Sequence, residues 1–295
     1  MEFNHGTELL KLCEELSMPI SAVMKLRETE VFKTPEEEVE RKMRKALSIM
    51  KESVKAPLEI PVPSVGGLIG GEAKKLKEHY DRGKSICGSV LSKASMYAMA
   101  VLEVNASMGV IVAAPTAGSS GVVPGVLLAL QEEYDLSDHE ILNGLYTAGA
   151  VGYLLMRNAS VAGAEAGCQA EVGAASAMAA AAAAEIMGGT PQMCMDAASG
   201  ALSNLLGLVC DPIAGLVEAP CQNRNSVGAA NALVCAEQAL AGIRQIIPFD
   251  EMAQAMYHVG RSLPFELRES ALGGCAGTPS GCSRSCEIFG EKKNR

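Results

Sequence analysis

The sequence predicts an all-α fold: a compact bundle of small-residue-rich helices, with glycine-rich loops as the candidate active-site segments. Three observations predict it. Apolar residues recur at helical spacing along most of the chain. Alternation of β-branched and polar residues is brief, so strand signals are scarce. Many segments are rich in Ala and Gly, which lets helices approach closely and leaves little room for bulky side chains. The chain has no Trp and only 4% aromatic residues, as such a core requires.

The elements follow in order. Residues 7–30 and 35–56 read as two charged amphipathic helices. In the second, Thr34 is the expected N-cap, Pro35 suits the first helical position, and Glu36, Glu37 and Glu38 complement the helix dipole. Val39, Met43, Ala46, Leu47 and Met50 repeat on one face. Pro57, Pro61 and Pro63 mark an extended connection. Gly66, Gly67, Gly70 and Gly71 form a cluster, but no strand precedes it and no correctly spaced acid follows, so nucleotide binding there is set aside. Residues 85–107 read as a helix of small and apolar residues. The apolar run Gly109–Ala114 leads into the loop Pro115–Gly121, and Pro124 opens a helix to Tyr134. Ser137 caps a helix over 138–156. An alanine-rich helix over 172–187 is closed by Gly188 and Gly189, and Thr190 and Pro191 restart the chain as N-cap and first turn. A helix over 191–206, a loop from Cys210 to Asn225, and helices over 226–243 and 249–262 complete the bundle. From Gly273 the tail reads as irregular. Residues 1–64 are expected to form an N-terminal helical arm, and 65–295 the domain that carries the chemistry.

Composition bounds the function. The 295 residues are 48% hydrophobic and 20% charged, with a formal net charge of -9, which argues against a nucleic-acid partner. No charged residue lies between Val104 and Gln131. This stretch contains Asn105, Ser107, Pro115, Thr116, Ser119, Ser120 and Pro124, so it reads as buried core and not as a membrane span. The N-terminus lacks a basic-then-apolar leader, which leads to the expectation of a cytoplasmic protein. Ten cysteines in a reducing compartment are not expected to pair as disulfides. Cys13, Cys87, Cys194 and Cys235 lie on apolar or helical patterns and read as packing residues. There is no Cys-x-x-Cys or Cys/His zinc pattern, and His5, His79, His139 and His258 are distant in sequence from the other cysteines of interest.

Three constellations carry the candidate chemistry. The first is Cys168, Cys210 and Cys221, each beside Gly or Pro and each followed by acid, amide or arginine side chains. Thiolates are soft ligands suited to iron–sulfur clusters or zinc, although a structural zinc usually takes four closely spaced ligands. Spacing alone favours buried core thiols. The polar flanks, Glu165, Glu171, Asp211, Glu218 and the run Gln222–Asn225, favour a ligand set. The second is the 115–121 loop, where successive amides before a helix form a nest for an anion, with Thr116, Ser119 and Ser120 as hydroxyl donors. Equally, Ser and Gly serve such a turn for conformational reasons. The third comprises Asn158 and Arg224. An amide at Asn158 can hold a carboxylate or amino group, and Arg224 can clamp a carboxylate bidentately. The alternatives are a helix terminus and a surface arginine.

Three long motifs join these residues: Ala-Pro-Thr-Ala-Gly-Ser-Ser-Gly-Val-Val-Pro-Gly at 114–125, Asn-Ala-Ser-Val-Ala-Gly-Ala-Glu-Ala-Gly-Cys-Gln-Ala-Glu-Val-Gly at 158–173, and Gly-Leu-Val-Cys-Asp-Pro-Ile-Ala-Gly-Leu-Val-Glu-Ala-Pro-Cys-Gln-Asn-Arg-Asn at 207–225. Together they resemble the iron–sulfur L-serine dehydratases, specifically the alpha chain of the two-subunit form. The resemblance runs from about residue 65 to 275. It implies conversion of L-serine to pyruvate and ammonia without pyridoxal phosphate, on a helical domain holding a 4Fe-4S cluster through Cys168, Cys210 and Cys221. It implies that Thr116, Ser119, Ser120, Asn158, Arg224 and Asn225 orient the substrate. Lys93, after which no lysine occurs until Lys292, has no Schiff-base surroundings. Single-chain members carry an N-terminal substrate-binding domain, and no such sequence precedes residue 65, so the resemblance implies a separate beta chain and a hetero-oligomer. It does not name the base, which is a loop serine or a group from another polypeptide. Cys275, Cys282 and Cys286 are candidates to cap the fourth iron. Two other readings stay open: a related hydro-lyase acting on another β-hydroxy acid or amino acid, and a non-catalytic helical subunit whose cysteines are packing.

Overall fold

The computed structural model describes residues 2–290. Among these residues there are thirteen α-helices: α1 (Gly6–Leu16), α2 (Ile20–Phe32), α3 (Glu36–Glu59), α4 (Glu72–Asp81), α5 (Gly88–Ala106), α6 (Val122–Tyr134), α7 (Asp138–Asn158), α8 (Gly163–Ala166), α9 (Ala174–Ile186), α10 (Pro191–Asn204), α11 (Cys221–Leu240), α12 (Phe249–Ser262) and α13 (Pro279–Phe289). No strand forms among them. An isolated parallel bridge between Cys210 and Arg268 is the one β-type pairing. The all-α expectation holds. No described helix is long and apolar enough to cross a membrane.

Alanine sets the architecture. Every residue from Ala174 to Ala184 is buried, so α9 is enclosed on all sides, with α6, α7, α10 and α11 packed around it. Alanine loses no side-chain entropy on burial, and its single methyl group lets neighbouring helices come close. The α5–α6 contact is closer still: a Cβ at Gly121 would lie 2.2 Å from the Ala98 carbonyl oxygen.

The first helices join the same core. Phe3, Leu9, Ile20 and Val23 are buried in the cluster that also holds Leu154 of α7 and the α9 alanines. Phe3 packs edge-on to Tyr153, and the Arg27 guanidinium lies 3.9 Å over the Tyr153 ring. The open amides at the start of α1 are satisfied from the far end of the chain, Gly6 and Thr7 donating to the Asp250 carboxylate at 2.6 and 3.0 Å. Half-buried Glu185, at the end of α9, accepts from the Ser21 amide in the first turn of α2.

Several boundaries differ from the sequence expectation. The helix expected over 7–30 breaks at Ser17, which is left-handed, and restarts after Pro19. Thr34 does not cap α3; its hydroxyl turns back to the Phe32 carbonyl. Pro57 lies inside α3, two residues from its end, so the usual amide bond back to the Ser53 carbonyl cannot form there. Helix α4 is strongly polar and lacks the apolar periodicity that would reveal it; its Ala73 amide donates to buried Glu103. The uncharged stretch is not uniformly core, since Met108 and Val110 are exposed. The tail after Gly273 is not irregular throughout: α13 begins at Pro279, with the Thr278 hydroxyl accepting from the Gly281 amide. Residues 291–295 lie outside the described range.

Gly121→Ala tests the close approach. Gly121 is the N-cap of α6, a position where Ala has no advantage over Gly. The clash is with a backbone oxygen, which cannot swing away, so a net loss of about 1–3 kcal/mol is expected, read as a lower thermal midpoint. A midpoint equal to wild type or higher would refute the packing account.

Candidate functional site

The three cysteines come from three different local structures. Cys168 follows Gly167, which takes a positive φ of 76°, and immediately precedes a π-helical turn over Gln169–Gly173 that runs into α9. Cys210 sits on the isolated bridge, its amide donating to the Leu267 carbonyl and its carbonyl accepting from Glu269. Cys221 is the first residue of α11, after Pro220. The loop expected to run to Asn225 therefore ends at Cys221, which places Arg224 and Asn225 in the first turns of a helix.

The fold brings these thiols together. All three are buried, and each lies within electrostatic reach of Glu171, the charges of Cys168 and Cys221 also acting on Cys210. Burial pushes Cys168 up to about 12, with Glu171 adding and Arg224 opposing. Burial likewise pushes Cys221 up to about 12, with Cys168 and Glu171 next in effect. Cys210 is raised further still, first by burial and then by Glu171. Without a cation the set is therefore three neutral thiols.

Glu171 is the hub, and it was read from the sequence only as a polar neighbour. Its Oε1 accepts from the Thr116 hydroxyl at 2.8 Å, and its Oε2 lies 3.8 Å from the Cys210 sulfur. Burial raises its carboxyl above the usual range, while the Thr116 bond works the other way. Two glycines make room for it: a Cβ at Gly163 would lie 2.5 Å from Oε2 and 3.0 Å from the Cys210 sulfur, and one at Gly118 would lie 3.1 Å from Oε1. One signal was present in the sequence. Glu171 follows Cys168 by three residues, a spacing that places both on one helical face.

The 115–121 loop packs directly on this hub. Thr116 and Ser119 hydroxyls are 3.0 Å apart, and the Ser120 hydroxyl donates to the Ala117 carbonyl. Asn225 ties the loop to α11: it accepts from the Gly121 amide at 3.0 Å and donates to Gly118 and Cys221 carbonyls at 2.8 and 2.9 Å. Arg224 uses Nη1 on the Val209 carbonyl and on Asp211, at 2.8 and 2.7 Å, and its guanidinium reaches the Cys168 thiol. Burial opposes ionisation of Asp211, yet the Cys275 amide and Arg224 hold its carboxyl below the usual range. Arg224 thus already has protein partners. Asn158 stands apart in its bonding, its amide donating to the Asn4 and Leu154 carbonyls. Cys275 donates its amide to Asp211 at 2.5 Å, which brings the tail against the site; Cys282 and Cys286 are exposed on α13.

The glycine cluster does bind an anion, and the anion is the chain's own. Gly66 and Leu68 amides and the Ser64 hydroxyl converge on the buried Glu218 carboxylate at 2.6, 3.0 and 2.6 Å. Glu218 precedes Cys221 by three residues, so this bond fixes one end of the cysteine loop.

Among the described residues no group of three or more His, Cys, Asp or Glu is gathered tightly enough to surround a single metal ion. Ligands to a polynuclear centre bind different metal atoms and stand further apart. The donor set fits such a centre in its chemistry: three buried soft sulfurs, with the Arg224 guanidinium beside Cys168 to offset thiolate charge.

Comparison with known proteins agrees in kind. Residues 15–276 match the family model described as "Serine dehydratase alpha chain". The chain is 47% identical over 288 residues, 98% of its own length and 96% of the relative's, to the probable L-serine dehydratase, alpha chain, of Bacillus subtilis (strain 168). It is 45% identical over 278 residues, covering 94% and 95%, to the L-serine dehydratase, alpha chain, of Peptoniphilus asaccharolyticus. The L-serine dehydratase of Helicobacter pylori (strain ATCC 700392 / 26695) is 36% identical over 283 residues, 94% of this chain but 62% of that protein.

The burial pattern predicts thiol reactivity in metal-free protein. At pH 8 a thiol reagent should label exposed Cys87, Cys282 and Cys286 first. Cys168, Cys210 and Cys221 should react only on unfolding. Rapid labelling of those three, mapped by mass spectrometry, would contradict the description of the site.

Proposed function

We propose that this chain, which belongs to the serine dehydratase alpha-chain family, deaminates L-serine to pyruvate and ammonia as the catalytic alpha chain of an iron–sulfur enzyme. The observation that carries this reading is the grouping of three buried thiols around one carboxyl, Glu171, which touches the Cys210 sulfur and accepts from Thr116 of the hydroxyl-bearing loop. Cys168, Cys210 and Cys221 would hold a 4Fe-4S cluster. Bound there, the cluster supplies a Lewis acid that assists departure of the substrate's β-hydroxyl. The elimination uses no pyridoxal phosphate.

The chain's own residues account for the rest. Thr116, Ser119 and Ser120, with the loop amides, hold the substrate carboxylate, as a nest before a helix favours an anion. Asn225 fixes the loop through Gly118 and Gly121, so the hydroxyls keep one orientation. Arg224, paired with Asp211 and near Cys168, places a positive charge beside the thiolate set that forms when metal binds. The Thr116–Glu171 bond offers a route by which a proton taken from the substrate Cα moves from the loop into the protein. Loss of the Cα proton and of the hydroxide leaves aminoacrylate, which tautomerises to an imine; water then releases pyruvate and ammonia. Asn158 has a place in substrate binding only if its bonds to Asn4 and Leu154 are exchanged for substrate. Free thiols throughout the described chain suit a reducing compartment, and the reading places the enzyme in the cytoplasm with a separate beta chain.

Anaerobic reconstitution with iron and sulfide tests the proposal. About four irons per chain are expected. Cys168→Ala, Cys210→Ala and Cys221→Ala should each lower iron content and pyruvate release together. The fall in activity should be at least about a hundredfold, since even outer-shell changes around a metal cost about 10–100-fold. Full activity without iron, or zinc uptake without sulfide, would overturn it. Replacing L-serine with L-threonine or a hydroxy acid in the same assay fixes the substrate.

A further inference from the structure

One exposed surface has a composition that solvent does not explain. From Met108 to Ala113 the chain is uncharged and has no regular secondary structure. Met108 and Val110 are 84% and 72% exposed, and Ala113 is exposed as well. Val65, 72% exposed, lies beside them because its amide donates to the Ala106 carbonyl. Met108 holds a positive φ of 64°, a conformation that favours glycine, and so presents a large apolar side chain where a small one would be less strained. Among the described residues, the backbone groups of Val110, Ile111, Val112 and Ala113 have no hydrogen-bond partner. Ile111 and Val112 pack half-buried against the core, which leaves Met108, Val110 and Ala113 facing outward, and an apolar segment with unpaired amides and carbonyls is a template for another chain.

We infer that Met108–Ala113, together with Val65, is the docking face for the separate beta chain, which covers these side chains and pairs with this extended backbone. The inference rests on the two-chain reading above. Two observations select that occupant. The alpha-chain relatives are matched over almost their full length, whereas about two fifths of the single-chain Helicobacter pylori relative lies outside the match. That relative therefore carries polypeptide beyond the part matched here, which the two alpha-chain relatives do not carry. The face is also continuous with the site. Ala113 lies three residues before Thr116, and Val65 adjoins Gly66, whose amide binds Glu218 three residues before Cys221. A polypeptide seated there roofs the loop and the cysteines, and is placed to add groups to the substrate site.

The test uses this chain co-expressed with its beta chain, with Met108→Asp and Val110→Asp as probes and Ile86→Asp as control. Ile86 is 97% exposed and lies just before α5, the helix whose far end leads to Met108. Each probe should weaken the complex by about tenfold or more, as loss of a central apolar anchor does. The control should bind as wild type. Iron content and thermal midpoint of the isolated chain should be unchanged in all three. In the wild-type complex, hydrogen exchange of the 110–113 amides should slow, a readout independent of any variant. Unchanged binding by both probes, or unchanged exchange, overturns the inference. So does a result in which the probes alter only self-association, which makes a second copy the occupant. Wild-type chain that takes up iron and sulfide but never binds the beta chain overturns this inference and leaves the cluster reading standing. Chain that takes up no iron sinks the cluster reading instead.

Discussion

Three buried thiols and a half-buried carboxyl are grouped beside a hydroxyl-bearing loop, and the rest of the molecule is arranged so that this grouping can exist. Each of these groups would be better solvated in water, and burial moves all four away from ionisation. The Thr116 hydroxyl satisfies one oxygen of Glu171. Gly163 and Gly118 give up side chains to make space for it. Asn225 and Glu218 secure the two flanking loops with buried hydrogen bonds. Removing the Thr116 hydroxyl, Asn225 or Glu218 leaves polar groups without a partner, the costly outcome for such a network.

The helices supply the rigidity that this arrangement needs. Cys168 and Glu171 are carried by the turn that leads into α9, and α9 is enclosed by alanine contacts on every side. Cys221, Arg224 and Asn225 stand on the first turns of α11, which packs against the same helix. A site built on the first turns of two packed helices takes much of its geometry from those helices. The segment from Met108 to Ala113 is the contrast: it leads straight into Thr116, yet Met108, Val110 and Ala113 stay exposed among the described residues.

How much was legible in the sequence depends on where the cause of each feature lies. Ser137 and its capping box, Thr190 before Pro191, and Gly188–Gly189 closing the alanine run are local chemistry, and they appear where expected. The cysteines and the hydroxyl loop were legible because their residue types and flanks are unusual. What was hidden depends on partners distant in sequence. Polar α4 is held by Glu103, the first turn of α1 by Asp250, and the glycine cluster by Glu218. The uncharged stretch looked like core because composition reports hydrophobicity, not cover. Arg224 looked free for substrate because neither Asp211 nor the Val209 carbonyl announces itself as its partner.

The most direct measurement is Mössbauer spectroscopy of the chain reconstituted anaerobically with iron-57 and sulfide, together with its beta chain. Three protein sulfurs on a four-iron centre require three irons of one kind and one distinct iron, and the distinct signal should change when L-serine is added. Four equivalent irons, or a spectrum indifferent to L-serine, would contradict the account.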